Sequence, residues 1–106
     1  MSGGQLQAVA TLFGVLSEPS RLSLLQALQS GALSVTELID ECGMKQANVS
    51  KHLGVLHAHN LVRRTRKGVS VVYEIADPVI FALCNLVCGK MEKDTKQAAA
   101  VFNPQI

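Results

Sequence analysis

The chain is short of several things, and each shortage removes a class of function. It has no tryptophan, one tyrosine and three phenylalanines among 106 residues. Proteins that grip single-stranded nucleic acid stack its bases on exposed aromatic rings, and Phe13, Tyr73, Phe81 and Phe102 are too few for that. No apolar run approaches the roughly 20 residues of a membrane-spanning helix, so no membrane partner is expected. Met1-Ser2-Gly3-Gly4 lacks the basic lead and apolar core of a secretory signal. Three cysteines, an odd number, imply no disulfide framework. The expectation is a thiol-reduced, cytoplasmic chain.

The most telling gap is in acidic residues. None lies between Glu41 and Glu74, a window that holds Lys45, Lys51, Arg63, Arg64, Arg66 and Lys67. The window is therefore +6 in a chain of +2, which leaves −4 for the remainder. A solvated face mixes both signs, and charge sorted this way is an electrostatic footprint for a polyanion. Enzyme signatures are missing too. There is no Ser/His/Asp arrangement and no glycine-rich phosphate loop, and Glu37, Asp40 and Glu41 read as the cap and exposed face of a short helix. No enzyme is expected.

What is present organises into helices and one hairpin, within a single domain over residues 1–106 by length. The 48% hydrophobic content suffices for a core. Leu6, Val9, Ala10, Phe13 and Leu16 recur at helical spacing, which predicts an amphipathic helix over about residues 5–16. Ser17-Glu18-Pro19 breaks it and starts another, with Leu22, Leu25 and Leu28 as its stripe and Gly31 at its end. Ser34-Val35-Thr36-Glu37 is a capping box, and Gly43 ends the short helix that follows. A further helix, about 46–58, places Val49, Leu53 and Leu56 on one face. A short capped helix, a glycine-containing turn and a second helix are the form of a helix-turn-helix.

Residues 61–66 and 69–75 are rich in β-formers, with Lys67-Gly68 between them where a hairpin needs positive φ. Asp77-Pro78 opens a last helix that is apolar nearly all round from Val79 to Met91. Such a helix is buried on more than one side, and in so small a protein the second side is most simply another subunit. The first and last helices are the expected dimer interface. Whether the stretch from Lys93 onward extends this helix or frays is open. The predicted class is mainly α with a small β-hairpin, a helix-turn-helix followed by a hairpin.

Ser34–Leu56 (SVTELIDECGMKQANVSKHLGVL), Leu61-Val62 and the hairpin end Val72-Tyr73-Glu74-Ile75-Ala76-Asp77 together resemble the ArsR/SmtB family of bacterial repressors. The resemblance extends back through Leu16-Ser17-Glu18-Pro19-Ser20-Arg21-Leu22 and covers roughly residues 6–90. It implies a homodimeric winged helix-turn-helix protein that sits on a palindromic operator of double-stranded DNA and leaves it when an effector arrives.

On the 46–58 helix, Gln46, Ala47, Asn48, Ser50 and Lys51 point away from the buried stripe, with Lys45 just before them. Recognition helices enter the major groove with their N-terminal residues toward base edges. Glutamine and asparagine can each pair twice with adenine, and lysine can donate to guanine or a phosphate. Ser50 and His52 are expected at the DNA backbone. Arg64, Arg66 and Lys67 at the hairpin tip should reach phosphates or the adjacent minor groove, while Arg63 lies on the opposite face of its strand. The competing readings are helix-start chemistry for Gln46 and Asn48, and a winged helix used for protein interaction without DNA.

The effector is less legible. The family's thiolate motif ELCVCDL corresponds here to Ala32–Leu38, where Ser34 and Thr36 replace both thiols, and soft metals need thiolates. The family's His and carboxylate site on the last helix is also missing, since no histidine follows His59. Cys84 and Cys88 remain, at i and i+4 on one helix face, with Cys42 before Gly43 as a third candidate. The pair could hold a soft ion such as As(III), Cd(II) or Zn(II). It could instead sense persulfides or oxidants, or simply pack as small hydrophobes.

Overall fold

Side-chain caps mark where most of the helices begin. In the computed structural model, which describes the backbone of residues 1–102 and the side chains of residues 1–96, α1 runs Gly3–Leu16. The Gln5 amide donates to Ser2 Oγ at 3.2 Å and the Ser2 amide to Gln5 Oε1 at 2.7 Å. This capping box starts α1 two residues before the predicted position and offsets the poor helix propensity of Gly3 and Gly4. Helix α2 (Pro19–Ala27) opens on Glu18, whose carboxylate accepts from the Ser20 amide at 3.0 Å. It closes through a 3-10 turn, Leu28–Ser30.

Helix α3 (Val35–Cys42) begins on the predicted Ser34–Glu37 box and stops at Gly43, whose φ of 66° is left-handed. After a short turn comes α4 (Gln46–Ala58). Its end is a Schellman closure: the Leu61 amide donates to the Leu56 carbonyl at 3.0 Å and the Asn60 amide to that of His57 at 3.1 Å. Asn60 takes the left-handed conformation this needs, at φ 61°. Leu56 and Leu61 are both buried, so the closure leads the chain from the helix directly into the sheet.

Strands β2 (Val62–Lys67) and β3 (Ser70–Ile75) are antiparallel, with Val62 opposite Ile75 and Lys67 opposite Ser70. The loop is Gly68-Val69, one residue on from the predicted turn. Gly68 has a φ of 63° and Val69 is not in the positive region, which is the pattern of a type II′ turn and spares the β-branched residue from strain. A third strand, β1 (Leu33–Ser34), went unpredicted. It pairs Leu33 with Tyr73 and Ser34 with Val72, in the order β1-β3-β2. Ser34 is thus both a strand residue and the cap of α3, and it ties the helix-turn-helix to the wing.

Helix α5 (Val79–Phe102) starts where Asp77 Oδ1 accepts from the Val79 amide at 2.9 Å. It continues past residue 93 to Phe102, so that part of the tail extends the helix; residues 103–106 lie outside the described residues.

The core lies where α2, α3 and α4 meet, around Leu24, Leu25, Leu38, Val49, Leu53 and Leu56. Each such side chain contributes about 1.5–3 kcal/mol through burial. Val62, Tyr73, Ile75 and Ile80 seat the sheet and the start of α5 on it. The two outer helices are only partly covered. Leu6, Val9 and Phe13 of α1 and Leu86, Val87 and Met91 of α5 are exposed. Phe81 and Leu83 pack half-buried against the core of their own chain.

Candidate nucleic-acid interface and thiol groove

Helix α4 is anchored by one face and open on the other. Val49, Leu53 and Leu56 are at most 1% exposed, which holds the helix against α2 and α3. Gln46, Ala47, Asn48, Ser50 and Lys51 are exposed on the outer side, as is Lys45 at the cap. Among the described residues no side chain caps α4. The first backbone bond of the helix runs from the Val49 amide to the Lys45 carbonyl, which leaves the amides of residues 46–48 facing outward. Unpartnered first-turn amides and the positive end of the helix dipole favour an anion there.

His52 corrects the sequence reading. It was expected to meet the DNA backbone, but it is 8% exposed and turned into the protein. Its Nδ1 lies 3.4 Å from Arg21 Nη1. Arginine only donates, so in this contact Nδ1 is on the accepting side. Arg21 Nε also donates to the Val15 carbonyl at 2.6 Å. One side chain on α2 therefore links the end of α1 to the middle of α4. Sequence reasoning missed this role of Arg21, because nothing local marks the pairing.

The wing presents its cations on two faces. Side chains alternate along a strand, so Arg64 and Arg66 share one face of β2 while Arg63 and Lys67 share the other. All four are exposed. Arg63 Nε lies 3.5 Å from Glu74 Oε1, on the residue directly opposite in β3. Arg63 is thus neutralised in place. Among the described residues Arg64, Arg66, Lys67, Lys45 and Lys51 have no carboxylate partner, so their charge remains available.

The three cysteines do not form one site within the chain. Cys42 is half-buried between α3 and α2, where its thiol donates to the Ser23 carbonyl at 3.7 Å. Among the described residues no three His, Cys, Asp or Glu side chains come together as metal ligands, and residues 97–106 contain none of these types. The expectation of Cys42 as a third ligand beside Cys84 and Cys88 is corrected on that ground. Those two do stay together. Both line a groove of about 440 Å³ bounded by α1, α2 and α5, with apolar walls from Phe13, Leu16, Leu22, Leu83 and Val87 and polar ones from Gln26, Gln29, Asn85 and Glu92. Burial pushes the Cys84 thiol above its ordinary range, and the charge of neighbouring Cys88 adds to that.

Comparison with known proteins fits this geometry. Residues 16–65, from the end of α1 into β2, match a family model described as a helix-turn-helix domain. The HTH-type transcriptional regulator NmtR of Mycobacterium tuberculosis is 44% identical over 69 residues, covering 65% of this chain and 58% of that protein. The chain thus spans less than two thirds of that relative. The structure of AntR, an antimony-specific transcriptional repressor, superposes with a TM-score of 0.81 at 34% identity, over 90% of this chain and 86% of AntR. A homodimeric winged helix-turn-helix DNA-binding domain from Mycobacterium bovis, described as a possible ArsR-family transcriptional regulator, also gives 0.81, at 26% identity, over 92% and 95% of the two chains.

Proposed function

Because the chain belongs to the ArsR/SmtB family of winged helix-turn-helix transcriptional regulators, we propose that it is a homodimeric repressor released from an inverted-repeat operator by a thiol-reactive effector. The observation that carries the DNA-binding part is the outer face of α4. Its base-reading side chains stand clear of the core next to an uncapped helix start and the free cations of the wing. Gln46 and Asn48 pair with adenine edges, Ala47 meets a thymine methyl, and Lys51 donates to guanine or a phosphate. Lys45, Ser50, Arg64, Arg66 and Lys67 hold phosphates, which position the protein without reading sequence.

The homodimer follows from the exposed apolar residues of α1 and α5, which one subunit leaves uncovered. A two-fold pair then presents two α4 helices to successive major grooves, about 34–36 Å apart. The effector acts at Cys84 and Cys88. A soft metal or metalloid such as As(III), Cd(II) or Zn(II) bound by the two sulfurs is the effector proposed here, with redox or persulfide chemistry at the same pair as the alternative. No catalysis is proposed, and the place of work is the cytoplasm, with the DNA.

The test is binding to genomic fragments selected by the protein itself. Affinity should fall steeply with salt, since each neutralised phosphate releases counterions. As(III), Cd(II), Zn(II) and a persulfide donor are then titrated against the complex. Release by a soft ion supports the proposal; release by the persulfide donor alone turns the effector reading to sulfur chemistry. Salt-independent binding, or none, would remove DNA as the partner and leave a protein-interaction module.

A further inference from the structure

We propose that Arg21 is the positioning residue that sets the separation of the two DNA-reading helices in the dimer, and so decides which half-site spacing the protein accepts. This rests on the reading above of a homodimer on an inverted repeat and names a determinant of its specificity.

Helix α1 is held to its own chain mainly by its last turn. Every residue from Gly3 to Gly14 is exposed except the half-buried Leu12, and only Val15 and Leu16 are buried. The apolar stripe that α1 offers to a second subunit, Leu6, Val9 and Phe13, lies before that turn. Apolar burial against a partner is non-directional. The angle at which α1 leaves the body is therefore set at the corner between α1 and α2.

Polar contacts hold that corner. The last four carbonyls of a helix have no partner within it. Ser17 Oγ donates to the Gly14 carbonyl at 2.6 Å, a bond within three residues of chain. Arg21 Nε donates to the Val15 carbonyl at 2.6 Å, and this bond runs from α2 back to α1. A cation is favoured at a helix C-terminus, and a planar guanidinium holds two partners in fixed directions. The second partner is His52 Nδ1, 3.4 Å from Nη1. At that distance it adds little attraction, but it keeps the guanidinium turned so that Nε faces Val15.

His52 is buried on α4, one turn after Asn48. Val49, Leu53 and Leu56 already fix α4 to α2 and α3, so these three helices form one body and Arg21 joins α1 to it. The other interface helix, α5, is seated on the core by Ile80, with Phe81 and Leu83 packed beside it. A dimer held through α5 alone still binds DNA, but with α1 loose it lacks the second support that fixes the angle between its heads. DNA makes that angle matter. One added base pair moves a half-site by about 3.4 Å and turns it by about 34°. A braced dimer meets one spacing well, and a loose one follows several.

The experiment measures binding of the full chain to its selected operator, and to versions with one base pair added or removed between the half-sites, at several salt concentrations. Wild type should lose about tenfold or more for either change. Arg21→Met keeps the apolar stem and loses the guanidinium. It should bind the natural spacing about fivefold more weakly and differ by about threefold or less among spacings. Its salt slope should match wild type, because no phosphate contact is lost. His52→Leu, which removes the acceptor that turns Arg21, should broaden the preference likewise, and it decides the matter alone if Arg21→Met does not fold. Wild type in enough urea to match each variant's stability should keep its sharp preference, which separates positioning from mere destabilisation. A sharp preference kept by either folded variant, or lost equally by wild type in urea, overturns this inference and leaves the dimeric repressor standing. A salt slope lower by about one makes Arg21 a phosphate ligand and overturns it too. A wild type that binds all spacings alike removes the inverted-repeat reading, and this inference with it.

Discussion

Replacing Arg21 with alanine should destabilise the protein by about 2–3 kcal/mol and loosen the seat of α4. The larger part is the bond from Nε to the Val15 carbonyl at 2.6 Å; a hydrogen bond to a charged group contributes about 1.5–3 kcal/mol. Arg21 is half-buried, so the lower half of that range applies. The contact of Nη1 with His52 Nδ1 at 3.4 Å is long and counts for little as an attraction. Its loss still leaves a buried imidazole nitrogen unpartnered, at a cost of about 1 kcal/mol. The control is Arg63→Ala. That pair with Glu74 spans 3.5 Å with side chains 62% and 45% exposed, and such surface pairs contribute about 0–1 kcal/mol. Urea unfolding at fixed protein concentration measures both, with a slope of about 1–1.5 kcal/mol/M expected for this size. Arg21→Ala should lower the midpoint by roughly 2 M and Arg63→Ala by well under 1 M. Equal shifts, or a loss below about 0.5 kcal/mol for Arg21→Ala, would refute the argument that one side chain braces α1 and α4 together.

Three further outcomes are expected. Gln46→Ala and Asn48→Ala should each reduce discrimination against altered operators by about 1–3 kcal/mol, whereas Arg66→Ala should weaken binding to every duplex and lower the salt slope by about one; competition binding at several salt concentrations separates the two behaviours. Leu86, 74% exposed in the single chain, should tolerate aspartate in a folded monomer but not in a dimer contact, where the charge would be buried unpaired; Leu86→Asp should sediment as a monomer with normal helix content, and a wild-type chain that is already monomeric at micromolar concentration would defeat the proposal. The Ser34 amide and hydroxyl hold the Glu37 carboxyl below its ordinary range, so its contribution is complete above that range and is lost as the pH falls through the folded-state value; Glu37→Gln should show a smaller drop in thermal stability on acidification than wild type.

Local chemistry determined much of this protein from its sequence alone. Ser34 and Glu37 cap α3, Gly43 ends it, and Gly68 turns the wing, all within a few residues, because caps and turns are satisfied by near neighbours. Helical periodicity likewise separated Val49, Leu53 and Leu56 from the outward Gln46, Asn48 and Lys51. The tertiary structure decided the rest. Strand β1 is two residues long and exists only because Tyr73 and Val72 of β3 lie beside it. His52 shares the polar character of its exposed neighbours, and its burial appears only in the fold, where its ring lies beside Arg21, 31 residues away. The apolar residues of α5 looked alike in sequence, but packing divides them into Ile80 in the core, Phe81, Leu83 and Cys84 half-covered, and Leu86 and Val87 outside. Composition shows how much of a helix is apolar, but which neighbour covers each face depends on how the chain brings α1, α2 and α5 together.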